Sequence, residues 1–198
     1  PKIDKLIYKA FTGDDAEFNS VRSGSIDFGY IPAAQYNQRG AVESNGYNVF
    51  LWPGNSITYL AMNFYPKAPG AKFTNQKYIR QAMQQLIDQK TLSEKIWSGT
   101  ASPTCGPVPM EPDKVGTLDG CVYPFDPDAA KKLLEDHGWK INPDGASTCE
   151  NPGTGANQCG EGIGQGDALT FKLVSQSGFV STHQMFEDII SKFGKVGI

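Results

Sequence analysis

All four cysteines of the chain, Cys105, Cys121, Cys149 and Cys159, fall in one glycine- and proline-rich stretch. Residues 99–166 hold 12 of the 22 glycines and 8 of the 13 prolines. Such a stretch resists regular structure, because glycine is costly to order and proline lacks a backbone donor. It reads as loop, interrupted by one helix. Four thiols permit three pairings. None forms a Cys-x-x-Cys pair, which argues against a zinc ribbon or a thioredoxin-like motif. Free buried thiols and a metal site are the alternatives to disulfides. Two local bridges, Cys105 with Cys121 and Cys149 with Cys159, fit better. Each would close a loop of about a dozen residues and contribute about 2–3 kcal/mol on chain-entropy grounds. Bridges of this kind imply an oxidising setting outside the cytoplasm.

The remaining composition narrows the class. The 198 residues carry a net charge of −3 with 20% charged residues, so nothing draws the chain to nucleic acid or an acidic bilayer. Hydrophobic residues at 39% and aromatics at 11% are ample for a packed core. No apolar run approaches the ~18 residues of a membrane span. The chain opens PKIDKLIYKAF, with neither an apolar signal core nor a cleavage site, and stops at KFGKVGI. Both ends read as cuts in a longer protein.

Periodicity then predicts the elements. Residues 5–11 read as a strand with Leu6, Tyr8 and Ala10 on one face. Thr12 to Asp15 is a turn, and a short helix carrying Ala16, Phe18 and Val21 ends near Gly24. Residues 26–31 read as a second strand, which makes a right-handed β-α-β unit closed by Pro32. Another short helix is expected around Ala33 to Arg39. Residues 47–52 and 57–64 read as strands around the turn Pro53-Gly54-Asn55. Asn75 is the expected cap of a helix carrying Ile79, Met83, Leu86 and Ile87. Thr91 with Glu94 is a capping-box pattern that turns Leu92 and Ile96 inward. Asp126 as N-cap, Pro127 at the first helical position, the stripe Ala130, Leu133, Leu134 and a terminal Gly138 define one helix within the loop region. Residues 168–174 alternate as a strand. Ser181 with Gln184 is expected to open a last helix, carrying Met185, Phe186, Ile189, Ile190 and Phe193 and stopped by Gly194.

Catalytic chemistry finds little support. The histidines are His137, expected at a helix C-terminus where a cation suits the dipole, and His183, in the first turn of the last helix. Neither belongs to a metal-ligand spacing, and no Gly-x-Ser-x-Gly elbow gives a serine nucleophile its context. The glycines at 153–155 and 160–166 follow no strand and open no helix, so a phosphate cradle is set aside in favour of a tied loop. Asn142-Pro143-Asp144-Gly145 reads as a turn before it reads as a calcium loop. No cofactor and no catalytic residue are expected.

Several segments, taken in order, resemble one family. SGSIDFGYIP at 23–32, TYLAMNF at 58–64, KFTNQKYIRQAMQQLIDQKTL at 72–92, SGTASPTCGPVP at 98–109 and VYPFDPDAAKKLLEDHGW at 122–139 are similar to motifs of the family 5 extracellular solute-binding proteins. DALTFKLV and the helix after it resemble the family's next strand and helix. These are the peptide, dipeptide and nickel receptors of ABC importers. The cysteines resemble the secreted actinobacterial branch. The resemblance implies an α/β, periplasmic-binding-protein-like fold of class II, peptide-binding type. Residues 1–60 would be the C-terminal part of the first α/β lobe, and 61–198 the N-terminal part of the second, with its disulfide-tied loops. Family members are longer, so a signal, usually with a lipoprotein cysteine that tethers the protein to the membrane, and much of both lobes would lie elsewhere.

The resemblance also implies roles for residues. Two lobes would close on a peptide or other small solute and hand it to an ABC permease outside the membrane. Tyr30 matches the position of a ligand-facing tyrosine in peptide-binding relatives, against ordinary core packing. Tyr59 has a similar assignment on the strand that crosses between lobes. Ser56 and Thr58 would donate polar contacts, with Asn55 more simply a turn residue. Ala61 stands where some oligopeptide-binding relatives carry an acid, so no preference for basic ligands is implied there. Met62 and Asn63 lie at the hinge, Asn63 bracing the backbone. Trp52 and Trp97 are expected in core before cleft. A secreted α/β hydrolase-like enzyme, which would need a histidine beside a serine or carboxylate, and a transport-inactive interaction domain of the same fold are the competing classes.

Overall fold

Local signals are strongest around residue 126, and the chain obeys them there. The Asp126 carboxylate accepts the Ala129 amide at 2.9 Å, and α6 runs Pro127–Asp136 behind it. Gly138 then takes φ 78, and a Cβ there would stand 2.7 Å from the Asn151 side chain and 2.9 Å from the Asn157 carbonyl. Only glycine fits this left-handed, crowded position. The computed structural model describes residues 2–51, 54, 56–107 and 118–198. Trp52, Pro53 and Asn55, each assigned a place in the sequence reading, lie outside the described residues.

The preceding elements are α1 (Asp14–Arg22), a 3-10 turn at Ala33–Gln38 running into α2 (Arg39–Ser44), α3 (Ala71–Thr74), α4 (Lys77–Gln85) and α5 (Gln89–Thr91), which widens into a π turn over Leu92–Ile96. After α6 come β1 (Trp139–Lys140) and β2 (Thr148–Cys149), paired antiparallel with Trp139 opposite Cys149, and finally α7 (Val180–Gly194).

Three expected caps shift. Gln76, not Asn75, precedes α4, because Asn75 closes the short α3. Asp88 caps α5 by accepting the Thr91 amide at 3.1 Å, so Thr91 and Glu94 form no capping box. Ser181 lies inside α7 and is buried, with Phe179 in the cap position.

The sheet expectations need a larger correction. Residues 5–11, 26–31, 47–51, 57–64 and 171–174 form no ladder among the described residues; Ala168 makes a single bridge to Thr148. The expected β-α-β unit around α1 is therefore absent from the described residues. Alternation records which way side chains point, whereas a strand also needs a neighbour to receive its backbone groups. Leu6, Ile7 and Tyr8 are 71%, 72% and 89% exposed, so both faces of that segment are open. The described residues carry the helical half of the α/β expectation and little of its sheet.

Burial falls into two clusters. Phe18, Val21 and Val42 form a small one from α1 and α2, with Ile26, Ile31, Tyr47 and Val49 against it. The larger one is built from α4, α6, α7 and the loops, and includes Ile79, Met83, Leu86, Leu134, Leu169 and Phe193. Residues 57–64 pass between them, with Leu60 and Met62 packed on the larger cluster.

Both local disulfides form, Cys105–Cys121 and Cys149–Cys159. The second is wholly buried and fixes the loop after β2 against α4. There the Tyr78 hydroxyl donates to the Cys159 carbonyl at 2.6 Å and accepts the Trp139 indole N–H at 2.7 Å. The Lys72 ammonium, 2.5 Å from Asp167, ties the next glycine-rich turn to α3.

Candidate functional site

A cavity of about 1820 Å³ opens where the two clusters face each other. One wall comes from residues 27–51, the floor from residues 56–62 and α4, and the opposite wall from residues 97–107 and α7. Its surface is rich in aromatic rings, among them Tyr30, Tyr36, Tyr47, Tyr59, Trp97 and Phe186. The charged residues in the described lining are Glu17, Asp27 and Arg80. Aromatic faces with a few placed polar groups suit a small organic solute.

The sequence-assigned residues do not all reach the cavity. Tyr30, Ser56, Thr58, Tyr59 and Met62 line the cavity. Ala61 and Asn63 are exposed and stand outside its lining. Asn63 is nonetheless well tied. Its carbonyl accepts the Thr74 hydroxyl at 2.8 Å, and its side-chain oxygen accepts the Tyr65 amide at 2.9 Å.

Tyr30 is half exposed, and its amide donates to the Glu17 carboxylate at 3.1 Å. Partial burial, with the negative charge of Asp14, pushes its phenol above the ordinary range, so it meets a ligand as a protonated hydroxyl. Burial and the neighbouring Glu17 and Asp15 also raise the Asp14 carboxyl. Trp97 packs against the larger cluster and lines the cavity at once, so core and cleft are not alternatives for it.

Sequence reasoning missed two parts of the lining. Arg80 stands beside the apolar stripe of α4, stacks over Phe64 at 5.5 Å and donates to the Thr74 carbonyl at 2.5 Å. Its signal was a lone cation next to the buried face of that helix. The wall at residues 101–107 read as plain loop. It is held by Gln89, whose amide donates to the Thr104 carbonyl at 2.9 Å and accepts the Thr104 amide at 2.8 Å. The Cys105–Cys121 bridge closes its far end.

The histidines lie outside this lining. The His137 ring stacks on Tyr78 at 3.8 Å with Nδ1 2.8 Å from the Leu133 carbonyl, and His183 Nε2 sits 3.2 Å from Glu187 on the surface of α7. His183 thus stands beside a carboxylate, as the hydrolase alternative asks, but both side chains are exposed on α7 and lie outside the cavity lining.

The profile of the bacterial extracellular solute-binding proteins, family 5 Middle, matches residues 1–198. The chain belongs to this family. Membership carries a periplasmic-binding-protein-like fold. Among similar proteins, the glutathione-binding protein GsiB of Salmonella choleraesuis (strain SC-B67) is 30% identical over 151 residues, which are 75% of this chain and 27% of the relative. GsiB of Escherichia coli O157:H7 is 29% identical over 151 residues, again 75% of this chain and 27% of that protein. The chain thus spans about a quarter of the length of the curated relatives it matches. No described helix of this family 5 chain is long and apolar enough to cross a membrane.

Proposed function

We propose that this chain is the central part of the substrate-binding component of an ABC importer. In this reading residues 1–60 belong to the first lobe, residues 61–198 begin the second, and the cavity between them is the ligand cleft. Support comes above all from one observation: the cavity takes its walls from two separate apolar clusters. Walls that belong to different packing units can part and close, as a clamshell receptor requires. Closure would exclude water and strengthen the backbone hydrogen bonds to a ligand.

The ligand class is a short peptide or a peptide-like solute. Tyr30 and Tyr59 offer rings and hydroxyls, Ser56 and Thr58 offer hydroxyls, and Arg80 offers a cation for a carboxylate. Met62 and Asn63 serve the passage between lobes, and Ala61, outside the lining, imposes no charge preference. The relatives' name as glutathione-binding proteins makes glutathione a sensible first probe. The receptor binds and delivers its solute to a permease outside the cell membrane and breaks no bond in it. A lipid-anchored segment elsewhere in the parent protein would hold it there.

Titration calorimetry with glutathione and with pools of di- to hexapeptides tests the reading. Binding is expected, with Tyr30→Ala and Tyr59→Ala each weakening it about tenfold, the worth of one lost aromatic anchor. Absence of heat with every pool would sink it.

A further inference from the structure

We propose that Ser98 is a latch residue that holds the two walls of the cavity together. This deepens the receptor reading and rests on it. Ser98 has φ 51, a left-handed backbone in which glycine is the ordinary occupant, and Gly99 beside it has φ 73. A serine tolerates that conformation at a cost, so its side chain is expected to provide something glycine cannot. Its hydroxyl donates to the carbonyl of Ala33 at 2.9 Å, on the other side of the cavity. Ala33 opens the 3-10 turn that follows Tyr30, and it lines one wall, as Trp97 and Gly99 line the other.

The turn around Ser98 is complete without that hydroxyl. The Gly99 amide donates to the Ser93 carbonyl at 2.8 Å, and the Thr100 amide and hydroxyl donate to the Trp97 carbonyl at 2.8 and 2.5 Å. The Ser93 hydroxyl donates to the Ala101 carbonyl at 2.5 Å. The Ser98 side chain is thus free for the crossing bond. When the walls part, the bond breaks and the Ala33 carbonyl passes to water; when they meet, it reforms. One net hydrogen bond biases closed against open by about fivefold.

The test uses Ser98→Ala, which keeps the backbone cost and loses the bond, and Ser98→Gly, which loses both. Nitroxide labels at the exposed positions Glu43 on α2 and Asp128 on α6 report the distance between the two clusters. Stopped-flow tryptophan fluorescence reports dissociation of bound glutathione or of the tightest peptide. Both variants are expected to shift the ligand-free population about fivefold toward the longer distance and to release ligand about fivefold faster. Ser98→Gly should also melt above Ser98→Ala. Distances and release rates that match wild type in both variants overturn the proposal. If no peptide binds yet the distances shift, the latch stands and the receptor reading falls; if peptide binds with distances and rates unchanged, the reverse holds.

Discussion

Removing one oxygen from Tyr78 asks how firmly α4 is held beneath the cavity. The residue is 8% exposed, and its hydroxyl bridges the Trp139 indole at 2.7 Å and the Cys159 carbonyl at 2.6 Å. Tyr78→Phe keeps the ring stacked on His137 but leaves a buried N–H and a buried carbonyl without their shared partner. Each stranded group costs about 1–3 kcal/mol, and partial relaxation brings the pair to about 2–4 kcal/mol. For a chain of this size that lowers Tm by roughly 4–16 °C in differential scanning calorimetry. The same oxygen supplies a second readout. Burial pushes the Tyr78 phenol up to about 12 from 10.0, against a smaller opposing pull from the Trp139 N–H. The native state therefore holds this proton more tightly than the unfolded chain does. Its contribution is fully present below about pH 10 and disappears as the pH rises through about 12. The phenylalanine variant lacks that part of the alkaline loss. A variant that melts within about a degree of wild type, with an unchanged alkaline limb, would refute the idea that this bridge fastens α4 to the disulfide loop.

Acid should act on the opposite side. The Lys72 ammonium and the Gly164 amide hold the Asp167 carboxyl below its usual 3.8; at Asp88 burial opposes the shift, but Thr91 and Lys192 outweigh it. Stability is therefore present above that value and lost as pH falls below it; Lys72→Met should flatten the acid limb of urea midpoints, at a cost under about 1 kcal/mol because the pair is partly exposed. Replacing Cys149 and Cys159 together by alanine should cost about 2–3 kcal/mol from chain entropy alone, and equal urea midpoints for variant and wild type would contradict this. Gln89→Leu removes both hydrogen bonds to Thr104 and should weaken peptide binding about five- to tenfold in calorimetry while Tm changes little.

What could be read from sequence was what is decided locally. Asp126, Pro127 and Gly138 set α6 because a cap, a fixed φ and a left-handed stop act within one turn. The local cysteine pairs were legible for a similar reason, since short loops close cheaply. Residues 5–11 misled because alternation is the same whether or not a neighbour is present. Asn75 misled because the same residue type also closes a helix, as it does α3, and Ser181 misled because a cap residue type can also sit inside one. Tyr30 and Tyr59 came from the family resemblance and do line the cavity. Ser98 and Gln89 were invisible because their partners are backbone carbonyls and amides, which no side-chain pattern encodes, and Arg80 showed only as a cation beside the buried face of α4.

Both sulfur crosslinks lie on the C-terminal side of Met62, and each closes on its own neighbourhood. No covalent rung therefore joins the α1–α2 cluster to the rest. In the proposed receptor, oxidation would stiffen one jaw and leave the travel between jaws to weak, reversible contacts, so a reductant would soften the grip without unhinging the bite.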